Sequence, residues 1–495
     1  MNDREKKIKV NQKIINSMKK IWMLLGAAAM VFAAHAQSAY DALSCVTLDP
    51  IMGTARYSSM AGAFGAFGGN ASTTKDNPAG VGVYKRFDIS LTPSLNINND
   101  KDIDFSLANF ALIINFKNHT ERERGYITSS LGITYNRLRN YSSYTSVADW
   151  DNSNFSLSDR MVDVKAPDII FDEALNLGLV GQSEVENPDG TYNYESMFGH
   201  GYNIDKTCRF VESGRAGQWD FTYGLNISNR VYIGGGMGVA SFSYSAQNEY
   251  DETSLNGNGD FFYLDNYYRA EAVGVNFKLG VIAKATNFMR FGFAVHTPTF
   301  YNVDEVSSIE MDYNNQYPKT PEIFRGEANY DLQTPFKLQA SAGFVIAKRA
   351  LIGLEYNWDN YKSMRLSKHD IKFENESAII ESDFKAAHTL KVGAEVKIID
   401  EFALRAGYAM QTAPVNDLTE EIANDMFIFR SLALPMNSHY ITGGCGYEGK
   451  HFYCDIAYMF RNQKTAFYQM LPQVDPKWDL NLKNHNLLLS FGWRF

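Results

Sequence analysis

The sequence predicts an all-β fold, a transmembrane antiparallel β-barrel of about fourteen strands with an N-terminal segment in its lumen. Three observations lead there. The first is strict alternation. In Phe336-Lys-Leu-Gln-Ala-Ser-Ala-Gly-Phe-Val-Ile346, the residues Phe336, Leu338, Ala340, Ala342, Phe344 and Ile346 share one face, while Lys337, Gln339, Ser341 and Gly343 share the other. Side chains alternate across a strand, so this is a period-2 amphipathic strand. Ile352-Gly-Leu-Glu-Tyr-Asn-Trp-Asp359 and Phe402-Ala-Leu-Arg-Ala-Gly-Tyr-Ala-Met410 repeat the pattern. The second is the rhythm of the spacers, which run short, long, short, long. The third is the last segment, His485-Asn-Leu-Leu-Leu-Ser-Phe-Gly-Trp-Arg-Phe495, which alternates up to a terminal aromatic residue.

About fourteen such segments fall near 86–96, 105–116, 126–139, 218–226, 230–245, 271–283, 289–297, 335–346, 350–359, 388–397, 401–410, 438–448, 452–460 and 484–495. Short spacers lie near Ser228-Asn229, Lys284 to Asn287, Ala347 to Arg349, Ile399-Asp400 and Gly449-Lys450. Long ones fill about 246–270, 298–334, 360–387, 411–437 and 461–483. A spanning meander with short turns at one end and long loops at the other has this rhythm. Lipid offers no hydrogen bonds, so the sheet must close on itself. A secreted protein of two or three β-sandwich domains would also alternate, but it has no reason to keep the spacer rhythm through five consecutive pairs. The closing strand, ending at Phe495, is similar to the recognition strand by which outer-membrane barrels meet their assembly machinery.

Residues 1–36 read as a signal peptide. Lys19 and Lys20 precede an apolar run from Ile21 to Ala34, and Ala34-His35-Ala36 fits a small-x-small cleavage site. The run is too short to span a bilayer. The stretch from Met18 is by itself a complete signal peptide, so Met18 is an alternative start. Beyond residue 36 the chain holds 40 basic and 54 acidic residues, a net charge of −14. Such a surface makes nucleic acid a poor partner. A mean hydropathy of −0.29 argues against a multi-helix membrane protein, while 29 Tyr and 33 Phe suit an aromatic-rich wall. Residues 37–85 form a separate N-terminal segment and 86–495 the barrel.

The apolar face should meet lipid, with Tyr356, Trp358, Tyr408, Tyr458 and Trp493 as an aromatic girdle near its borders. The opposite face carries Lys278, Lys337, Glu355, Arg405 and Arg494 among glycines and serines. Fourteen strands enclose a lumen too wide for wall side chains to fill, so water fills it or a plug does. The candidate plug is 37–85, with the small-residue run Arg56 to Gly80 at its centre. Its Phe64 and Phe67 can offer apolar contact to a ligand. Asn77-Pro78 disfavours a helix continuing at Asn77. A flexible lead into the first strand is the plainer reading of the same segment.

At these residues the chain resembles the FadL/TodX family of outer-membrane transporters of hydrophobic compounds. The resemblance rests on Met60-Ala-Gly-Ala-Phe-Gly-Ala66, Ala71-Ser72 and Asn77-Pro-Ala-Gly80. It continues through Phe291 to Pro298, Thr334-Pro335, Leu404 to Tyr408, Ala413 to Asn416 and Leu434 to Gly443. Residues 140–217 carry few of the family's landmarks. The resemblance implies a fourteen-stranded barrel with a luminal hatch, of which Asn77, Pro78 and Ala79 would be part. It further implies passive uptake of long-chain fatty acids or aromatic hydrocarbons, past the hatch and sideways through the wall, with no cofactor and no enzymatic activity. A monomer would suffice. Lys337 and Arg405 are candidates to meet a charged ligand, against the plainer reading that each is paired with Glu355 or another acid.

Two other readings stay open. One is a scaffold barrel that holds secreted proteins, resembling the shuttle barrels of the type IX secretion system. The other is a receptor for haem or another lipid. A hydrolase is disfavoured because neither Gly-x-Ser-x-Gly nor His-Glu-x-x-His occurs. If Gly449-Lys450 is a two-residue turn, Cys445 and Cys454 stand opposite each other on the lipid side, bonded or as two free thiols. Gly234-Gly-Gly with Gly238 marks a bend or a close approach by another segment. Asn256-Gly-Asn-Gly-Asp260 is a polar loop without the full ligand spacing of a Ca²⁺ site.

Overall fold

Alternation along the chain becomes fourteen antiparallel strands that close on themselves. A computed structural model describes residues 39–47, 51–98, 103–117, 124–141, 143–148, 156–163, 168–186, 192–198, 204–255, 260–314, 322–369, 373–416, 432–468 and 477–495. The expected signal segment, 1–36, and residues 256–259 of the expected polar loop lie outside the described residues. The wall strands are β1 (Asp88–Ile97), β2 (Ile103–Lys117), β3 (Tyr126–Asn140, extended by Ser143–Ala148), β4 (Ile204–Ile227), β5 (Val231–Ser254) and β6 (Phe261–Lys284). They continue with β7 (Met289–His296 and Phe300–Tyr313), β8 (Glu322–Gln333 and Phe336–Ile346), β9 (Ala350–Asn360, then Arg365–Ser367) and β10 (Ala386–Lys397). The last are β11 (Phe402–Gln411), β12 (Leu432–Glu448), β13 (Phe452–Tyr468) and β14 (Lys477–Arg494). Each pairs with the next. β14 returns to β1, with Asp88 opposite Arg494 and Ile97 opposite His485.

Tight turns gather at one end. Ser228-Asn229 and Ala347-Lys348 both take left-handed backbone (φ 56° and 53°, 50° and 56°). Two consecutive positive φ values match the twist of the flanking strands. Long connections gather at the other end, which is therefore the outward one. At the inner end the Arg494 guanidinium pairs with Asp88 at 2.9 Å, and the Phe495 N–H donates to the Phe87 carbonyl at 3.1 Å.

Of the expected long outward spacers, 246–270 and 298–334 are largely strand, and strand also enters both ends of 461–483. β4, β5 and β6 each run 24 residues. At about 3.3 Å per residue and a tilt near 45° they rise about 55 Å, roughly twice the apolar band of such a barrel. The outward side changes on the way up. Ile233 and Met237 of β5 are exposed and apolar, whereas Ser241, Ser243, Ser245 and Glu249 above them are polar. A search for lipid-facing alternation therefore stops where the strand leaves the membrane. Three neighbouring strands also bend at one level. β7 breaks at Thr297-Pro298-Thr299, β8 at Thr334-Pro335 and β9 at 361–364. Proline cannot donate to a ladder. Threonines repair the break: Thr299 N–H donates to Thr334 Oγ1 at 2.8 Å, and Thr334 N–H to the Thr299 carbonyl at 3.0 Å.

Two further expectations are corrected or refined. In the β12–β13 hairpin Glu448 pairs with Tyr453, so the turn takes four residues. Cys445 consequently faces Ile456 and Cys454 faces Tyr447, and all four cysteines are free. In the β2–β3 seam, pairing runs only from Asn109↔Asn136 to Lys117↔Thr128. Ile103 to Leu107 pair with β1 alone, and Ala108 is bulged out of register. A side-chain hydrogen bond from Asn140 to Asp104 spans that seam.

Candidate functional site

Residues 51–84 lie against the inward face of the wall, built from short capped turns. Thr54 caps α2 (Ala55–Ser59) through the Tyr57 N–H. Asn70 and Asn77 cap two 3-10 turns, Ala71–Lys75 and Pro78–Val83, through the N–H groups of Ser72 and Ala79. Pro78 sits at the first helical position, where its missing N–H costs nothing. These caps let a glycine- and alanine-rich chain hold a fixed shape without long helices.

The wall accepts this backbone through a belt of glycines. A Cβ at Gly353 would fall 2.2 Å from the Ala63 carbonyl oxygen, at Gly393 2.3 Å from that of Met60, and at Gly234 2.4 Å from that of Pro78. Gly280 stands 2.1 Å by the same measure from Asn77 Oδ1. Several of these glycines are cross-strand partners: Gly224, Gly234 and Gly280 in one run, and Gly343, Gly353, Gly393 and Gly407 in another. Only the Gly234 run carried a sequence signal of close approach. The rest needed the register to be known.

Ion pairs then fasten the segment. The Arg56 guanidinium reaches both oxygens of Glu395 at 2.7 and 2.8 Å, and Arg405 bridges Glu395 and Asp455 at 2.6 Å each. Lys391, fully buried, meets Glu355 at 2.8 Å and Asp76 at 3.8 Å. Gly65 N–H donates to Glu355 at 2.9 Å, and the Tyr57 hydroxyl donates to Asp76. Burial opposes charge on Asp76, yet Lys391, then Lys75, then the Tyr57 hydroxyl hold its carboxyl below its ordinary value. Among the residues singled out from sequence, Asn77 donates to the Gly65 and Val281 carbonyls at 3.0 and 3.3 Å. Pro78 and Ala79 lie under Gly234. Phe64 and Phe67 pack on each other with centroids 6.1 Å apart, beside Tyr57 and Met60. Arg405 belongs to the ion-pair network, and Lys337 pairs with Asp359 at 3.4 Å. Lys391, Glu395 and Asp76 complete the network, and no sequence motif marks them.

Above this level the lumen holds a polar cavity of about 100 Å³ lined by Lys75, Asp76, Lys278, His296, Lys337, Gln339 and Asp359. That is below the ~150 Å³ that admits a benzene ring. Gln339 is buried in its wall, and among the described residues neither of its amide atoms has a hydrogen-bond partner. Higher still the character inverts. Phe242, Tyr244, Tyr268, Tyr301, Val303 and Leu332 point inward and bury α1 (residues 39–46), including Tyr40, Leu43 and Val46. The Arg139 guanidinium holds the end of α1 through the Thr47 carbonyl at 2.7 Å. Burial pushes the Cys45 thiol up. α3 (Leu157–Asp163) and α4 (Asp168–Asn176) join the same apolar cluster, with Glu252 accepting from the Leu157 N–H at 2.7 Å. At the inner end an open vestibule of about 790 Å³ is bordered by Arg56, Tyr84, Lys397, Glu448 and Arg494.

A closed wall, a lipid-facing apolar belt and a lumen occupied by the chain's own N-terminal segment define a β-barrel of the outer membrane. The fold is that of the FadL-type transporters. The CymD monoaromatic hydrocarbon channel superposes over 91% of this chain and 99% of its own, with a TM-score of 0.52 and 10% identity. A Pseudomonas aeruginosa FadL homologue covers the same shares, with a TM-score of 0.53 and 13% identity. A TodX monoaromatic hydrocarbon channel lacking S2 gives 0.50 at 10% identity, over 90% of this chain and 100% of its own. No family model matches the sequence, and no curated protein sequence does.

Proposed function

We propose that the chain is an outer-membrane uptake channel for a small hydrophobic compound, gated by residues 37–85 acting as a hatch. The observation that carries this reading is the inverted polarity of the outward half. There the exterior is polar and the interior apolar, and α1 occupies the apolar chamber. An apolar chamber standing above the membrane would collect a hydrophobic guest, and α1 is the element it would displace. The hydrocarbon channels of like fold give the ligand class. Fatty acids and monoaromatic hydrocarbons both fit that description.

Onward passage has two features in its favour. The β2–β3 seam lacks backbone pairing over Ile103 to Ala108, beside exposed Ile103, Phe105 and Leu107, and offers a sideways exit into lipid. The polar cavity and the ion pairs below it oppose descent of an apolar guest to the inner end. The test is uptake of labelled oleate, toluene and benzoate by cells whose own transporters are deleted. Expression of the full chain should raise uptake of at least one apolar substrate, and Leu43→Asp with Val46→Asp should alter that uptake. No gain over the empty vector across the panel would overturn the reading.

A further inference from the structure

Three Tyr–His pairs repeat on the lipid side of three consecutive hairpins. The Tyr356 hydroxyl of β9 lies 2.7 Å from Nδ1 of His388 on β10. Tyr408 of β11 and His439 of β12 stand 2.8 Å apart in the same way, and Tyr458 of β13 and His485 of β14 2.6 Å. Each phenol and imidazole lie at a shallow angle, 24°, 32° and 35° in turn. The placement is regular. Each tyrosine is the seventh residue of its strand, and each histidine stands nine residues before the end of its own. The pairs therefore share one height above the inner turns. Spaced two strands apart, neighbours are about 10 Å from one another.

That height is a border. Directly below the histidines the outward faces show Leu390, Ile441 and Leu487, all exposed and apolar. Above His439 and His485 the exposed outward residues are Asn437 and Lys483. The row thus stands where the apolar belt meets the headgroups of the outward leaflet. With the phenol donating to Nδ1, the ring proton sits on Nε2. Among the described residues no partner is found for these three Nε2 atoms. An oriented N–H donor at headgroup depth matches an anionic oxygen, because a charge-assisted hydrogen bond is about twice as strong as a neutral one.

We propose that His388, His439 and His485, each oriented by its tyrosine, bind the phosphate groups of lipids in the outward leaflet. The phenol fixes the ring plane and the tautomer, and Nε2–H donates to a phosphate oxygen. An ester carbonyl would be a weaker acceptor for the same donor.

The test is native mass spectrometry of the full barrel released from micelles holding equal phosphatidylglycerol and monogalactosyl diglyceride of identical acyl chains. Both lipids carry ester carbonyls, and only the first carries phosphate. The wild type should retain an excess of phosphatidylglycerol of about one lipid per pair. His388→Gln/His439→Gln/His485→Gln should lose that excess, and Tyr356→Phe/Tyr408→Phe/Tyr458→Phe should reduce it. If the triple histidine variant does not fold, each single His→Gln variant should lose about one phospholipid. Equal retention of the two lipids by the wild type, or an unchanged excess in folded histidine variants, overturns the proposal.

Discussion

Arg56 of the N-terminal segment and Glu395 of β10 meet through a two-point ion pair at 2.7 and 2.8 Å, 339 residues apart in sequence. It fastens the luminal segment to the wall at two points. Planar forks of this kind hold both partners in one geometry. Glu395 would remain bonded to Arg405 without it. Arg56→Ala should therefore loosen the segment by about 1–3 kcal/mol without unfolding the barrel. Proteolysis of residues 51–84 in the folded barrel should quicken accordingly, and Glu395→Gln, which takes the anion from both Arg56 and Arg405, should quicken it at least as much. Equal protection in wild type and Arg56→Ala would show that the pair contributes nothing.

The glycine belt makes a steric prediction. A methyl group at Gly353 or Gly393 would press into the carbonyl oxygens of Ala63 and Met60 from 2.2 and 2.3 Å. Backbone cannot yield as a side-chain tip can, so Gly353→Ala with Gly393→Ala should displace residues 60–63 from the wall. Overpacking of this kind costs about 1–3 kcal/mol per site. Gly125→Ala is not a suitable control because Gly125 has φ +81°. Gly443→Ala is one, since nothing lies closer than 3.8 Å to its added Cβ. Spin labels in the segment and on β10 should separate in the double variant and not in Gly443→Ala.

Acid should release the segment. The Asp76 carboxyl lies below its ordinary value when folded. A group so depressed adds stability that is fully present above its unfolded value, about 3.9, and is lost as pH falls through the folded value. Hydrogen exchange of residues 70–80 should stay slow from neutral pH to about 4 and quicken below it. Asp76→Asn should remove that acid step. An exchange profile with no step between about pH 5 and 2 would contradict the assignment.

The register of β12 and β13 settles how the cysteines should behave. Cys445 faces Ile456 and Cys454 faces Tyr447, so the two thiols sit diagonally. Alkylation of the unfolded chain without reductant should add four groups, one to each of Cys45, Cys208, Cys445 and Cys454. In the folded protein Cys45 and Cys208, both buried, should react more slowly than Cys445 and Cys454, and burial also raises the Cys45 thiol. A mass short by two groups would indicate a disulfide.

Much of the wall was legible because lipid enforces a strict rule. Leu404, Ala406 and Tyr408 alternate with Arg405 and Gly407, and the number of such segments is the number of strands. The heights of β4 to β6 were not, because Ser241 to Asp251 leave the lipid and carry no apolar exterior to detect. The Gly449 turn is two residues longer than its sequence suggests, because Glu448 pairs with Tyr453 and turn length depends on backbone geometry. Lys337 and Arg405 were visible as inward charges. Their acids, Asp359, Glu395 and Asp455, could be assigned only once the register placed them. The Tyr–His pairs were readable in principle from equal offsets in Tyr356, Tyr408 and Tyr458. No single pair stands out until three hairpins are aligned.

The gate itself is tested by locking it. Thr74 Oγ1 of the luminal segment lies 2.7 Å from Thr134 Oγ1 of β3, so Thr74→Cys with Thr134→Cys places two sulfurs where they can bridge. In a background with the four native cysteines changed to serine, uptake of the transported hydrophobic probe should fall on oxidation and return on reduction. Uptake that is equal in the oxidised and reduced states, with the bridge confirmed by mass, would contradict a mobile luminal gate.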